Sequence, residues 1–586
     1  MNAVLAAREP SAKYLATQPS PLLQNFNLLA SAPGGMTKLR ELILTLAVQG
    51  KLVPQDPGDE PGSVLLQRIR AEKDRLIAEG KAKRDKPLAA VAEEEKPFEL
   101  PVGWEWVKGR DLFSVIRGVT YQKTDARDTP VEKHHPILRA NNIRGSINLE
   151  DLVYVPSELI SDDQLLRVGD YVVCLASGSK HLVGKAAPFR EALACSFGAF
   201  CGAIRPIQET EYFAVYLASP MYRDSVSEAS AGIGINNLKG SSLLDLDIAL
   251  PPLAEQSRIV ARVEELMRLC DALETKGRLE AEQHARLVGT LLGTLADSDT
   301  PEALAGNWQR IAAHFDLLLD RPEAVDALEQ TILQLAVRGL LVPQDPDDEP
   351  ASALLKKIRV EKDRLIAEGK VKRDNPLSPI AEDEKPFGLP SGWEWVKGRD
   401  LFSVIRGVTY QKTDARDAAA ENHLPILRAN NIRSSINLDD LVYVPSSLIS
   451  DDQLLRVGDY VVCLASGSKK LVGKAAPFRE LLECSFGAFC GVIRPVQEIA
   501  YLAVYLASPM YRDSVSEKSA GIGINNLKGS SLLDLDIALP PLAEQSRIVA
   551  RVESLRRLCA DLRRGLSACQ TTQAQVAAAL VETSVA

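Results

Sequence analysis

Apolar residues recur every three or four positions in two short stretches near the N-terminus and in one long stretch further along the chain. The short stretches, residues 37–50 and 64–80, each end at a glycine and are predicted to be amphipathic helices. The long stretch follows Pro251 and Pro252, suits a helix that starts at a proline, and continues to about residue 295. At about 1.5 Å per residue, a helix of about 40 residues is about 60 Å long.

Between the short and the long helical stretches the pattern changes. From Trp104 onward, short runs rich in β-branched residues and bounded by Gly, Pro or Asp predict strands, as at 151–155, 170–176 and 201–207. Residues 243–250 alternate apolar and polar side chains and are predicted to form one further strand. This part of the chain therefore has the pattern of a mixed α/β globule.

The whole pattern occurs twice. LPPLAEQSRIVARVE occupies residues 250–264 and again 539–553, an offset of 289 positions, and the match continues without a gap on both sides. Between 104–250 and 393–539 only about 17 positions differ. A repeat of this length predicts two whole domains in tandem and not a solenoid of small units.

Each long helical stretch carries a narrow apolar stripe, which in the first copy contains Ile259, Val263, Leu266, Leu269 and Leu273. A narrow stripe is typical of helices that pair with each other, so we predict an antiparallel coiled-coil spacer. The second stripe contains Ile548, Val552, Leu555, Leu558, Leu562 and Leu566. The predicted fold class is mixed α+β, with two α/β globules separated by long antiparallel helices in a pseudo-twofold tandem repeat.

Five segments follow from these patterns, each half having a helical arm, a globule and a long helix. The predicted segments are an N-terminal helical arm with a polar, proline-containing linker (1–100), a first globule (101–252), a central helical region with the second arm (253–390), a second globule (391–541) and a C-terminal helical region (542–586).

Composition narrows the class of protein without fixing its partner. The net charge of −9 leaves nucleic-acid binding open, because a binding face needs only local positive charge. No run approaches the roughly 20 apolar residues that span a bilayer, and no secretory signal pattern starts the chain. We therefore expect a cytoplasmic protein with no membrane partner. None of the nine cysteines forms a CxxC pair, which predicts free thiols and no zinc site.

The chemistry of an active site is absent from the pattern. The sequence has no G-x-x-x-x-G-K-[ST] phosphate loop and no NPP[YFW] tetrapeptide, the signature of amino-methyltransferases. His135 corresponds to Leu424 in the second copy and His181 to Lys470, so neither histidine is kept in both globules. We predict a chain that is not an enzyme and holds no metal or cofactor of its own.

Four turn-like segments of each globule, beginning with 117–127, 138–146, 177–185 and 234–240 in the first, cluster Arg, Lys, Asn and Ser. Arg and Lys pair with guanine edges, Asn pairs with adenine, and lysines or hydroxyls contact phosphates. Each segment taken singly has the alternative interpretation of a solvated turn. Together they favour a reader of double-stranded DNA with two binding surfaces.

The candidate DNA-binding residues are the polar side chains of these segments. In the first globule they are Arg117, Lys123, Arg139, Asn141, Asn142, Arg144, Ser177, Lys180, Lys185, Asn236, Asn237 and Lys239, and in the second they are Arg406, Lys412, Arg428, Asn430, Asn431, Arg433, Ser466, Lys469, Lys474, Asn525, Asn526 and Lys528. We predict base contacts for the set from Arg139 to Arg144 and its copy, and phosphate contacts for Lys123, Lys180, Lys185 and Lys239.

Three stretches of the chain together carry a family likeness. The arm LRELILTLAVQGKLVPQDP with VLLQRIRAEKDRLIAEGKAKRDKPL, the globule from GWEW, and the LPPLAEQ junction before the long helix resemble the DNA-specificity (S) subunit of type I restriction–modification systems, in the branch with a long N-terminal arm. The likeness covers nearly the whole chain. It implies target-recognition domains at about 104–250 and 393–539 and helical regions around 253–300 and 542–586.

The resemblance also implies partners. In that family the S subunit is not catalytic. It binds two modification subunits, which methylate adenine with S-adenosylmethionine, and restriction subunits, which use ATP and Mg to translocate and cleave DNA. Two other classes remain as alternatives: a fused restriction–methylation enzyme, against which the missing NPP[YFW] counts, and a scaffold that does not bind DNA.

One departure from the family matters. Its members usually carry two dissimilar recognition domains, whereas the two domains here are nearly the same. If the spacer helices are antiparallel, the two domains read the same bases on opposite strands, as symmetric dimers do on palindromic operators. The predicted target is two identical, inverted half-sites that flank unread bases.

Overall fold

The computed structural model describes residues 28–80, 96–208, 210–230, 236–371, 380, 385–433, 435–518 and 525–585. The predicted linker lies outside the described residues up to position 95, as does the glycine-rich start of the fourth polar segment at 231–235. The chain divides into two compact units. Unit 1 is 1–279 with 570–586, and unit 2 is 280–569.

Unit 1 begins with a helical arm, continues through the first mixed domain and enters a long helix. Its elements are α1 (Gly35–Val48), α2 (Gly62–Ala78), β1 (Glu105–Lys108), α3 (Gly109–Leu112), β2 (Phe113–Arg117), β3 (His134–Leu138), β4 (Val153–Pro156), β5 (Tyr171–Cys174), β6 (Ala176–Ser177), β7 (Ala186–Pro188), β8 (Ser196–Phe197), β9 (Cys201–Pro206), α4 (Tyr212–Ala218), α5 (Pro220–Ala229), β10 (Asn236–Asn237), α6 (Gly240–Leu244), β11 (Asp247–Leu250) and the start of α7 (Leu253–Ala296).

Unit 2 repeats this order after two short helices. Its elements are the end of α7, α8 (Pro301–Ala312), α9 (Phe315–Leu318), α10 (Pro322–Val337), α11 (Ala351–Ala367), β12 (Glu394–Lys397), α12 (Gly398–Leu401), β13 (Phe402–Arg406), β14 (His423–Leu427), β15 (Val442–Pro445), β16 (Tyr460–Cys463), β17 (Ala465–Ser466), β18 (Ala475–Pro477), β19 (Ser485–Phe486), β20 (Cys490–Pro495), α13 (Tyr501–Ala507), α14 (Pro509–Glu517), β21 (Asn525–Asn526), α15 (Gly529–Leu533), β22 (Asp536–Leu539) and the start of α16 (Leu542–Val585).

The mixed domain of unit 1 contains two main sheets. One is a four-stranded antiparallel sheet in the order β2-β9-β5-β7, and the other is three-stranded in the order β4-β3-β8, with β3 and β8 parallel. Two short pairs, β1 with β11 and β6 with β10, complete the described strands. The second domain repeats every pairing in the same register. The mixed α+β class is confirmed.

The arm helix α1 packs on the long helix α7 in unit 1. Leu42 and Ile43 of α1 and Ile259 of α7 are fully buried in one apolar cluster. The apolar side in the first part of each long helix therefore packs against an arm. This contact is additional to the predicted pairing of the two long helices. Ile259, Val263 and Leu266 of the predicted stripe are buried, whereas Leu269 is 45% exposed and its neighbour Cys270 is buried instead.

Both long helices are 44 residues long, as their spacing predicted. The helix α7 begins in unit 1 and ends in unit 2, and α16 begins in unit 2 and ends in unit 1. The core of unit 1 includes Ala577 from the end of α16, and the core of unit 2 includes Leu292 from the end of α7. None of the described helices is long and apolar enough to cross a membrane.

A buried junction joins arm, domain and long helix. The indole nitrogen of Trp104 donates to a carboxylate oxygen of Glu255 at 2.9 Å, and Arg258 forms an ion pair with Asp59 at 2.6 Å. Burial raises the pKa of Glu255, while the hydrogen bonds from Trp104 and Gln55 oppose that rise. The equivalent contacts in unit 2, Trp393 with Glu544 and Arg547 with Asp348, have the same distances.

The single strand predicted over 243–250 is wrong in its first half. Residues Gly240–Leu244 form a short helix, and only Asp247–Leu250 form a strand. In the helix, Leu243 is the buried residue, and it lies three positions before the buried Leu246. A helix can bury residues three positions apart, and a strand can bury alternate residues. Either element would place leucines of this segment in the core, so the apolar pattern alone did not distinguish a helix from a strand.

Candidate nucleic-acid interface

The four polar segments of the first domain meet around one tight turn, Ser196–Cys201, which links β8 of the three-stranded sheet to β9 of the four-stranded sheet and which we call the central hairpin. We call the segments loop A (117–127), loop B (138–146), loop C (177–185) and loop D (236–240, the described part of the fourth segment). Loop A joins the hairpin through Val119 N, which donates to Phe197 O at 2.7 Å. Loop B joins it where Gly198 N donates to Leu138 O at 2.9 Å.

Loops C and D join the other side of the same hairpin. The carbonyl oxygen of Phe200 accepts from Leu175 N at 2.8 Å and from Ala176 N at 3.1 Å, just before loop C. Leu238 N of loop D donates to Leu175 O at 2.7 Å, next to the β6–β10 pair. Backbone bonds thus gather segments that are more than a hundred residues apart in sequence.

The second domain has the same arrangement around Ser485–Cys490, the second central hairpin. Val408 N donates to Phe486 O at 2.8 Å, Gly487 N to Leu427 O at 2.9 Å, and Leu464 N to Phe489 O at 2.8 Å. Both domains therefore bring their polar segments together in the same way.

Glycines allow this close approach. A Cβ atom at Gly118 would lie 2.1 Å from the carbonyl oxygen of Gly198, and Gly184 has a φ of +78° with Val226 against it. Any larger residue at Gly118 would push loop A away from the central hairpin.

Loop C is held as a rigid turn by helix α5. Tyr222 donates from its hydroxyl to Gly184 O at 2.7 Å, and the Arg223 guanidinium donates to Val183 O at 3.1 Å and to His181 O at 3.0 Å. Lys180 and His181 remain exposed at the tip of the turn. The scaffold thus fixes the loop and leaves its cationic tip accessible.

The base contacts predicted for Asn142 and Asn431 need a correction, because the side-chain amides of both residues form hydrogen bonds within their own turn. Asn142 is 1% exposed, accepts from Arg139 N at 2.9 Å, and donates to Asn148 O and Glu150 O at 2.9 Å each. Asn431 makes the same three bonds. We therefore reassign both residues from base contact to formation of loop B.

The other candidates divide by exposure, and the pattern is the same in both domains. Exposed candidates are Arg117, Lys123, Asn141, Arg144, Lys180, Asn237 and Lys239 with Arg406, Lys412, Asn430, Arg433, Lys469, Asn526 and Lys528; half-buried candidates are Arg139, Ser177, Lys185 and Asn236 with Arg428, Ser466, Lys474 and Asn525. Arg139 also donates from its guanidinium to Asp151 O at 2.6 Å, which ties its side chain to the base of loop B.

Positive charge is concentrated on these loops. Loops A to D of the first domain contain eight Arg and Lys residues and one acid, Asp125, and the equivalent loops of the second contain nine and one, Asp414. Asp125 accepts from Gln122 N at 2.8 Å within loop A. The four loops therefore carry a net charge of +7 in the first domain and +8 in the second, in a chain whose net charge is −9.

Sequence reasoning missed two aromatic residues on this face. Phe200, in the turn of the central hairpin, is 64% exposed, as is Phe489 in the second domain. Tyr121 of loop A lies beside Gly198, and burial raises the pKa of its hydroxyl while Arg139 opposes the rise. The run SFGAFCG reads as an apolar strand with a turn, and nothing in it tells which phenylalanine points outward.

Two kinds of reactive group are relevant to the described residues of this face: a metal site and a reactive thiol. No three His, Cys, Asp or Glu side chains lie together in the described ranges as metal ligands would. Burial raises the pKa of Cys195 and of Cys201 behind the face to about 12, so both thiols stay protonated near neutral pH.

The family model for the type I restriction modification DNA specificity domain matches residues 101–283 and again 390–568. The chain is 35% identical to the type I restriction enzyme EcoAI specificity subunit of Escherichia coli and 33% identical to the EcoEI specificity subunit, also of Escherichia coli. Each alignment covers 94% of both chains. It is 42% identical to the EcoKI specificity subunit of Escherichia coli (strain K12) over 28% of this chain and 37% of the relative.

Among solved structures, a chain from work on complex assembly and conformational transition of the type I R-M system aligns over 83% of this chain and 99% of its own. Its TM-score is 0.47 and its identity 17%, a likeness that adds nothing to the sequence relationship. The DNA specificity domain matches twice, and two named relatives align over 94% of both chains. This chain therefore belongs to the family of type I restriction enzyme specificity subunits, which are not catalytic.

Proposed function

We propose that this chain selects the DNA target of a type I restriction–modification complex by presenting loops A to D of each domain to one half of a bipartite site. The observation that carries the proposal is the convergence on each central hairpin of four loops that together contain eight or nine cationic residues and one acid, in an acidic chain. Clustered Arg and Lys supply the phosphate attraction on which DNA affinity depends.

The two half-sites have the same sequence in this proposal. Of the differences between the domains, only two fall within loops A to D: Gly145 against Ser434, and His181 against Lys470. The base-reading candidates Arg139, Asn141 and Arg144 are identical to their copies. The same base-reading side chains next to strands paired in the same register select the same bases.

Inversion of the half-sites follows if the long helices are antiparallel. In unit 1 the core holds the start of α7 with the end of α16, and in unit 2 it holds the start of α16 with the end of α7. This sharing supports antiparallel helices. The target is then an interrupted palindrome, because the DNA strands themselves are antiparallel.

The partners in this proposal are the modification and restriction subunits of the same system. The named relatives are specificity subunits of type I restriction enzymes. Two modification subunits, using S-adenosylmethionine, methylate adenine in the two half-sites, and restriction subunits use ATP and Mg to translocate and cleave. In this proposal this chain selects the DNA sequence, and the partner subunits carry out the chemical reactions.

The test is to map methylated adenines in a host that has no adenine methylation of its own. Expression of this chain with its modification subunit should methylate one motif throughout the genome, and the modification subunit alone should methylate none. Motif methylation that is unchanged without this chain would overturn the proposal.

A further inference from the structure

We infer that Phe200 and Phe489 read a thymine in each half-site by packing against its 5-methyl group. The inference rests on the proposed function and adds a residue that reads bases without hydrogen bonds. It assigns an apolar reader to a face that is otherwise polar and cationic.

Phe200 lies at the point where the four loops meet. Its carbonyl oxygen accepts from both Leu175 N and Ala176 N, and the adjoining Cys201 O accepts from Gly118 N at 3.2 Å. The backbone on both sides of the ring is therefore fixed to loop A and to the residues just before loop C. The side chain is nevertheless 64% exposed, and Phe489 has the same exposure in the second domain.

The surroundings of the ring distinguish it from other exposed apolar residues. Phe200 belongs to the hairpin that joins loops A to D, and its carbonyl oxygen contacts Ala176, which pairs with the exposed Asn237 of β10. Val168 and Val457 are exposed to a similar degree, 59% and 61%, but lie outside all four loops. If this face binds DNA, the exposed ring of Phe200 meets few apolar groups on the DNA that it could pack against.

The chemistry of base edges selects the partner. In the major groove the 5-methyl group of thymine is the apolar group that the four base pairs present, and Phe is among the side chains that contact it. Covering the methyl removes apolar area of both groups from water, which we expect to change affinity by about fourfold per half-site. Insertion of the ring between base pairs is the competing mode, and it would unstack and kink the duplex.

The experiment selects bound duplexes from two random-sequence libraries, one made with thymidine and one with deoxyuridine, which lacks the 5-methyl group. The full chain in complex with its modification subunit is compared with Phe200→Ala/Phe489→Ala and with the control Val168→Ala/Val457→Ala. Wild type and control should prefer thymine at one position of each half-site in the first library. In the deoxyuridine library this preference should fall about fourfold, whereas the phenylalanine variant should behave alike in both libraries.

Other results overturn the inference. The same preference at every position in both libraries, with wild-type protein, would mean that no methyl group is read. An increase in fluorescence from 2-aminopurine placed in the half-site, lost in Phe200→Ala/Phe489→Ala, would show insertion between bases instead. Selection of no motif from either library by wild type would refute the proposed function itself, so the two failures are distinguishable.

Discussion

Asn141 and Asn142 are neighbours in loop B, but their side chains have different surroundings. Asn142 is buried with three hydrogen bonds to backbone groups of its own loop, whereas Asn141 is exposed beside it. The two substitutions to alanine therefore separate the structural role from the reading role.

Asn142→Ala with Asn431→Ala should lower the stability of each domain by about 1–3 kcal/mol, because buried backbone groups lose their partners. Asn141→Ala with Asn430→Ala should change stability by less than about 0.5 kcal/mol, as surface changes do. It should instead relax the motif at one position of each half-site. Thermal unfolding followed by circular dichroism gives the first quantity and adenine mapping the second. Equal losses of stability in both variants would contradict this division.

Glu255 and Glu544 predict a pH dependence of stability. Burial raises the pKa of Glu255 above its value of 4.5 in an unfolded chain, so the folded protein binds more protons than the unfolded chain between the two pKa values. Stability therefore falls as pH rises from about 4.5 through the folded pKa.

Glu255→Gln with Glu544→Gln keeps an oxygen acceptor for the Trp104 indole without the charge. The free energy of unfolding of this variant, relative to wild type, should increase as pH rises from about 4.5 to 7 and should then level off. Urea unfolding at a series of pH values measures it. A relative stability that decreases over this range would mean that the carboxylate is stabilising.

The roles of individual residues were the part of the site that the sequence predicted least well. The polar loops were found from Arg, Lys, Asn and Gly in turn-like runs, and most of their cations are exposed. The same run cannot tell a capping asparagine from a reading one, because the difference lies in carbonyl groups six and eight residues further on. Phe200 was missed since the apolar pattern only indicates a strand.

At the scale of elements, the arm and the long helix depend on each other. Ile259 of α7 is fully buried in the cluster that contains Leu42 and Ile43 of α1, while Leu269 on the same helix is 45% exposed. The exposed leucine thus provides a matched control for the buried isoleucine.

Ile259→Ala should cost about 2–5 kcal/mol, as truncation of a buried isoleucine does, and should release the arm from α7. Hydrogen exchange should become faster in α1 and stay slow in the β2-β9-β5-β7 sheet. Leu269→Ala should leave both unchanged. Equal effects of the two variants would mean that the narrow stripe first predicted, with Leu269 inside it, is correct.

Element boundaries followed from the sequence wherever one periodicity dominated. The stretches 37–50 and 64–80 correspond to α1 and α2 within two residues at either end. The strand predicted over 243–250 was wrong in its first half because a short helix followed by a strand buries leucines at spacings that also fit one strand. The division into five segments remains a prediction.

At the scale of the whole molecule, the repeated arms predict the composition of the complex. Each arm presents the same two helices, α1 with α2 and α10 with α11, on the same kind of junction to a long helix. Two equivalent arms offer two equivalent docking sites, so we predict two modification subunits per chain. Native mass spectrometry at saturating modification subunit should show a two-to-one complex, and a stable one-to-one complex would contradict this.

The central claim is that two nearly identical faces read two identical, inverted half-sites. Genome-wide mapping of methylated adenines, with this chain and its modification subunit as the only adenine methylation system, tests it most directly. The account predicts one interrupted palindrome, with methylated adenines on opposite strands of its two halves. A direct repeat would contradict the inversion, and two unrelated half-sites would contradict the identity of the two reading faces.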